Sequence, residues 1–294
     1  MYRNRAVHQS IDILPEFPFL MMEIKEGEYE EFIYCHWHKE TEIILVEEGY
    51  LTLEIDQRVY SMSPGDIAFV NPEEIHYGHE IKGSCCRVIV CVFDWSILQI
   101  SRQGTFHKDY VEPLKEERYS LDAFLGQKEE PEKNQRIWGI VHEIMREYKK
   151  EDSLCRDSIR AWMMLLIIEL YKSGLIHREP VSQPGSQTAS VVKEAIRYME
   201  EHYKEKIYIS DIAARVAMSE DYFYKVFKRA AGQTPASYLQ YIRISHAKQL
   251  LRTTDFCISR IAEEVGYEST SYFIKQFHQL VFVTPKQFQM RLLK

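Results

Sequence analysis

The chain has 294 residues, 45% of them hydrophobic and 28% charged, which is room for two domains with their own cores and an ordinary globular composition. Its longest apolar run, Ala161–Ile168, stops at Glu169 and is too short to span a bilayer; with nothing signal-like at the start, a cytoplasmic protein with no membrane partner is expected. The net charge of −7 is unevenly spread, because residues 187–294 carry 16 Lys+Arg against 11 Asp+Glu. A polyanionic partner therefore suits the C-terminal segment and not the acidic remainder. Six cysteines form no C-x-x-C pair and read as reduced thiols, mostly in strands and helices.

In chain order, residues 1–20 have no period and end in the extended entry Pro15-Glu-Phe-Pro18. Six strands are then predicted from alternating or apolar runs: Phe19–Lys25, Thr41–Val46, Tyr50–Ile55, Arg58–Ser61, Asp66–Val70 and Arg87–Phe93. Turns fall at Glu47-Glu48-Gly49, Ile55-Asp56-Gln57 and Ser63-Pro64-Gly65-Asp66. Short antiparallel strands packed this densely predict an all-β barrel or jelly roll.

Inside that region stands His36-Trp-His38-Lys-Glu-Thr-Glu42, then Gly49, and further on Asn71-Pro72-Glu-Glu-Ile-His76. Two histidines at alternate strand positions share one face, and a set of three imidazoles and a carboxylate suits Fe, Mn, Ni or Zn. The spacing resembles the first motif of the cupin fold, with His76 near the position of the second-motif histidine. In metal-binding cupins these four side chains are ligands, so the resemblance implies a divalent metal at His36, His38, Glu42 and His76. Pro72 and the lack of a glycine before His76 depart from the enzyme form of that motif. Two uses of the four residues stay open, metal ligation and a pocket-lining or structural role in which the same groups hydrogen-bond a small-molecule effector directly. His79 reads as a surface residue.

From Gln135 the period becomes helical, with Ile137, Ile140, Val141, Ile144, Met145 and Tyr148 on one stripe. Ile159–Tyr171 is apolar on more than one face, so it needs cover on two sides, either within the chain or from a second subunit. Met164 is taken as an outward position there. Residues 178–189, with two prolines and a glycine, read as a linker. A helix follows over Ser190–His202, with Val191, Val192, Ala195, Ile196 and Met199 on its buried face.

The stretch 209–285 is one helix-turn-helix pattern written twice. Ile212, Ala213 and Val216 recur as Ile261, Ala262 and Val265, an offset of 49; Phe223, Phe227 and Pro235 recur as Phe273, Phe277 and Pro285, an offset of 50. The extra residue belongs in the second turn. Ser210 and Ser259 are predicted N-caps, Gly266 supplies a positive φ that Ala217 must adopt less easily, and the Phe pairs anchor the second helix of each unit. With Arg243, Ala247, Leu250 and Leu251 on the connecting helix and Gly266-Tyr267 in the turn, the chain resembles the AraC/XylS family of transcription regulators over residues 190–292. One departure is Phe282, where the family usually has the glycine that the first copy keeps as Gly232.

The resemblance implies three segments: an effector-binding and dimerisation domain over 1–177, a cupin-like barrel followed by dimer helices; the linker 178–189; and an all-α double helix-turn-helix DNA-binding domain over 190–294. It implies base-contacting positions at Asp221, Tyr224, Lys225, Thr270, Ser271, Ile274 and Lys275. Lys228, Arg229, Arg215 and His278 are placed near phosphates. Expected partners are double-stranded DNA, a small-molecule effector of the sugar type, a second copy of the chain and RNA polymerase. The competing expectation is a metal-dependent cupin enzyme with an appended helical domain, and the doubled recognition unit weighs against it.

Overall fold

The structure is a computed structural model that describes residues 16–25, 33–81, 83–98, 105–150, 152–179 and 186–292. Residues 1–15, most of the predicted irregular entry, lie outside them. Two compact units divide near residue 184.

The first unit contains β1 (Phe19–Lys25), β2 (Ile33–His36), β3 (Thr41–Glu48), β4 (Leu51–Ile55), β5 (Arg58–Met62), β6 (Ile67–Val70), β7 (His76–Glu80) and β8 (Arg87–Phe93). There follow α1 (Glu112–Lys115), β9 (Ser120–Leu121), β10 (Phe124–Leu125), α2 (Pro131–Tyr148), α3 (Cys155–Lys172) and β11 (Ile176–His177). One sheet runs β1-β8-β3-β6-β10, a second β2-β7-β4-β5, and β9 with β11 makes a two-stranded ribbon. Ile44, Val46, Val88 and Val90 of the first sheet pack with Ile33, Leu51, Leu53 and Ile55 of the second in the barrel interior. A separate cluster joins Ile43, Leu45, Phe69, Ile89 and Phe93 to Ile137, Val141 and Ile144 of α2 and to Ile159, Met163 and Leu166 of α3. The five-stranded sheet is thus covered on both faces, so Thr41–Val46 is buried at every residue, whereas β4 alternates because only one face packs.

All six predicted strands are present. Sequence reading missed β2 and β7, whose histidine, glycine and tyrosine content hides the alternation, and these two carry His36 and His76. Of the two sides of α3 expected to need cover, one is packed. Met164 is half-buried against the core and Leu165 is the outward residue, 48% exposed. The reason is helical phase: Met163, Leu166, Ile167 and Leu170 take the inner face. Of the thiols, Cys35, Cys91 and Cys155 lie in strands or a helix, and Cys85, Cys86 and Cys257 in connecting segments; none forms a disulfide.

The second unit contains α4 (Ser186–His202), α5 (Ile209–Arg215), α6 (Glu220–Ala231), α7 (Pro235–Thr253), α8 (Ile258–Glu264), α9 (Thr270–Val281) and α10 (Pro285–Leu292). Within the predicted linker, 186–189 is already helix and 180–185 lies outside the described residues. Both repeats fold alike. Ala217 and Gly266 take positive φ, 55° and 82°, and the second turn is longer by the one residue the offsets require. A Cβ on Gly266 would stand 2.5 Å from the Tyr203 carbonyl oxygen, so the turn needs glycine for space as well as for conformation. Arg243 on α7 fastens the same segment, donating to the carbonyls of Tyr203 (2.8 Å) and Glu205 (2.7 Å). The predicted caps are corrected: Ser210 and Ser259 lie inside helices that begin one residue earlier, after Tyr208 and Cys257. Capping serines do occur, at Ser219 and Ser269, where each hydroxyl accepts from a backbone N–H at the start of the recognition helix. Gly232 and Phe282 end those helices in the left-handed region, at φ 70° and 58°. Among the described residues no helix is long and apolar enough to cross a membrane.

Candidate effector site and nucleic-acid interface

The structure brings His36, His38, Glu42 and His76 together, with one ligating atom from each within 4.8 Å of the others. Glu42 has the same parity on β3 as Ile44 and Val46, so it points into the barrel. His36 and His76 are cross-strand partners on β2 and β7, with ring centres 4.2 Å apart. His38 lies two residues past the end of β2. It, Glu42 and His76 are buried, and His36 is half-buried.

Each imidazole is oriented by a backbone carbonyl: His36 Nδ1 donates to Tyr34 (2.6 Å), His38 Nδ1 to Glu40 (3.0 Å) and His76 Nδ1 to Glu74 (3.0 Å). A carbonyl oxygen only accepts, so all three rings carry hydrogen on Nδ1 and present Nε2 inward. His38 Nε2 and His76 Nε2 lie 2.8 Å and 3.1 Å from the same Glu42 oxygen. In this tautomer both Nε2 atoms are acceptors facing a carboxylate oxygen, a contact that a shared proton or a cation among them would satisfy. Burial lowers the His36 pKa to about 3, helped by the charges of His76 and His38. For Glu42 burial works against ionisation, yet the charge on His76 and the hydrogen bonds from both histidines hold its pKa below the ordinary range. For His76 burial also opposes charge, and the Glu42 carboxylate outweighs it and raises the pKa. The buried Glu42 carboxylate therefore favours a positive partner beside it, either His76 or a bound cation. Three carbonyl-oriented imidazoles and a carboxylate are a donor set that fits a divalent metal.

The loop that delivers His76 is held on two sides. Glu73, at φ 65°, donates its N–H to His38 O (2.8 Å). Glu74 accepts from the N–H (2.7 Å) and the side-chain amide (3.2 Å) of Asn71, and burial raises its pKa to about 7. His79, as expected, faces solvent.

In the second unit Phe223, Phe227, Phe273 and Phe277 are fully buried, and the opposite faces of α6 and α9 are open. Asp221, Tyr224, Lys225, Lys228 and Arg229 are exposed on α6; Ser271, Ile274, Lys275 and His278 are exposed on α9, with Thr270 half-buried at its first position. Arg215 differs, since its guanidinium is 2.8 Å from Glu194 and stacks over Tyr198. Sequence reading missed Tyr222 and Tyr272, equivalent positions 58% and 48% exposed at the starts of the two recognition helices. As aromatics they blended with the Phe frame, and only their offset of one residue from it marks them as outward. Gln240 on α7 donates to the Tyr272 hydroxyl (3.4 Å).

A family model described as a helix-turn-helix domain matches residues 212–291, and one described as an AraC-like ligand binding domain matches residues 20–163. The uncharacterized HTH-type transcriptional regulators YdeC and YisR of Bacillus subtilis are each 27% identical to this chain. The first match covers 88% of this chain and 86% of YdeC, the second 84% and 85% of YisR. The lactose operon transcription activator of Staphylococcus xylosus is 37% identical over 86 residues, 29% of this chain and 31% of that protein. A ligand-binding domain followed by a doubled helix-turn-helix, matched along most of its length by transcriptional regulators, makes this chain a DNA-binding transcription regulator of the AraC family.

Proposed function

We propose that the barrel senses a small hydroxyl-bearing metabolite of the sugar type at His36, His38, Glu42 and His76, with a divalent metal held by those four residues. The observation that carries this reading is the convergence of their ligating atoms within 4.8 Å in an otherwise apolar barrel, the arrangement expected of a small-molecule site. When bound, the metal supplies a Lewis-acidic centre for ligand oxygen atoms. The chain's own residues supply orientation: the carbonyls of Tyr34, Glu40 and Glu74 fix the rings, and Glu42 balances charge. The lactose operon relationship is too short to include both units, so the sugar class rests on donor chemistry and family resemblance.

In the DNA-binding unit, Asp221, Tyr224, Lys225, Thr270, Ser271, Ile274 and Lys275 are assigned to base edges and Lys228 and Arg229 to phosphates. Asp221 has a role there only by accepting from a cytosine amine, since phosphate repels it. The outward face of α3 is assigned to a second copy of the chain, the compartment is the cytoplasm, and RNA polymerase is the further partner of such a regulator. Regulators as relatives favour this reading over a metal-dependent enzyme.

Elemental analysis of the purified protein tests the sensor assignment. One equivalent of a divalent first-row metal is expected in the wild type, lost in His36→Ala and His38→Ala, together with a thermal shift on addition of the right metabolite that both variants lack. A metal-free wild type whose metabolite response survives in both variants would remove these residues from the site.

A further inference from the structure

The loop that delivers His76 is bonded to a segment that has no part in the site. Asn71 is buried, and its side chain addresses both backbone groups of one distant residue. Its Oδ1 accepts from Leu121 N (2.7 Å) and its Nδ2 donates to Leu121 O (3.1 Å), as a neighbouring strand would. The same Nδ2 and the Asn71 N–H reach Glu74, whose carbonyl orients His76. Leu121 belongs to β9, and β9 pairs with β11, Leu121 with Ile176 and Ser120 with His177. Asp122 N donates to Leu175 O (2.9 Å) and Ser120 Oγ to Glu179 O (2.9 Å). Residues 175–179 are the last described stretch before the division between the two units.

From this connection we propose that Asn71 couples the His36/His38/Glu42/His76 cluster to the docking of the exit strand β11, so that the state of the effector site sets how firmly residues 175–179 are held. The proposal rests on the sensor reading only for what occupies the cluster. Its physical content is an asymmetry of strength. The Asn71 junction is buried, and opening it would leave several polar groups unsatisfied, so loop 71–76 and β9 move as one body. The β9–β11 ribbon is two residues per strand with an exposed flank, the His177–Asp122 pair, and belongs to the weakly held parts of a fold. A shift of the loop imposed at His76 is therefore passed through Asn71 and yields at the ribbon. Occupancy and docking bias each other, because an occupant favours whichever loop position it binds more tightly.

The test is hydrogen exchange on the full chain, read at the Asp122 amide, which reports on exit-strand docking, and at the β8 amides, which report on barrel integrity. Zn²⁺ alone is the probe, with its binding followed by calorimetry. In the wild type Zn²⁺ should slow exchange at Asp122 by about fivefold or more. Asn71→Ala should bind Zn²⁺ within about tenfold of the wild type and lose the slowing, with β8 protection unchanged. An effect on Asp122 that persists in Asn71→Ala, or exchange at Asp122 that Zn²⁺ binding leaves unchanged in the wild type, overturns the coupling. Should Asn71→Ala lose β8 protection, Asn71→Ser takes its place. A wild type that takes up no Zn²⁺ overturns the metal assignment alone, and the coupling is then decided by His76→Asn. That change should speed Asp122 exchange in the wild-type background and leave it unaltered in the Asn71 variant; equal acceleration in both rejects the proposal.

Discussion

Lys225 and Lys275 occupy equivalent places in the two repeats, each exposed midway between two buried phenylalanines and so on the opposite face of its helix. A lysine there can donate to base acceptors in a major groove, so Lys225→Ala and Lys275→Ala are each expected to weaken operator binding by about 1–3 kcal/mol and to relax sequence preference at one position. Titration of both variants on the operator and on single-base variants of it checks this, and binding equal to the wild type would remove the residue from the interface. Phe282 makes an opposite case. It adopts φ 58° without the freedom of glycine, and at 76% exposure its ring recovers little by packing. The left-handed conformation costs a non-glycine residue about 1–2 kcal/mol, so Phe282→Gly should raise the stability of the DNA-binding unit by about 1 kcal/mol, less the entropy that glycine adds to the unfolded chain. Denaturation midpoints measure it; a lower midpoint would show that the exposed ring has a packing role.

On α4 the buried face holds a group that no apolar spacing reveals. Glu200 is buried beside Met199 and Ile196, and burial first, then the charge of Glu201, pushes its pKa from 4.5 to about 8. The folded protein therefore binds a proton that the unfolded chain has released between those values. Stability from this group is complete below pH 4.5 and is lost as pH rises toward 8, on the order of a few kcal/mol at about 1.4 kcal/mol per unit. Glu200→Gln should flatten that decline, visible as a pH-independent melting temperature of the DNA-binding unit between about pH 5 and 8; a slope unchanged by the substitution would assign the decline elsewhere. On α3 the outward Leu165, flanked by half-buried Trp162 and Ile168, is the place to test dimerisation. Leu165→Glu should give monomers in sedimentation and weaker operator binding, because a carboxylate in an apolar interface is costly to desolvate. An unchanged dimer would move the interface to another face. The strands divide along the same line: β3 and β8 were legible as apolar runs because both of their faces are covered, whereas β7 buries His76 and Gly78 and β2 is only four residues long, with Ile33 and Cys35 buried, so both lacked the signal.

For the molecule as a whole, the basic excess lies in the unit that carries both recognition helices, and the acidic one holds the barrel. Affinity for DNA should then fall steeply with salt, each lost phosphate contact flattening the log–log slope by about one. Lys228→Ala and Arg229→Ala should each do so while leaving sequence preference alone. Arg215, held by Glu194 and Tyr198, should change the slope less. Binding isotherms across a salt series on operator and random duplex separate these effects, and an altered sequence preference at constant slope would contradict the assignment.

The repeat, its buried Phe frame and the barrel strands with a covered face were legible in the chain itself, because periods of two and 3.6 residues and the offsets of 49 and 50 are local regularities. The grouping of His36, His38 and Glu42 was legible for the same reason, being close in sequence. Which nitrogens turn inward, and that Asn71 binds Leu121 fifty residues away, was decided by tertiary structure alone. The carbonyls that orient the rings and the buried amide that joins two loops act across packed strands, where neither spacing nor composition leaves a mark. The starts of α5 and α8 also lay beyond the cap signal: each helix begins one residue before its serine, after Tyr208 and Cys257, with Ile212 and Ile261 buried in the core.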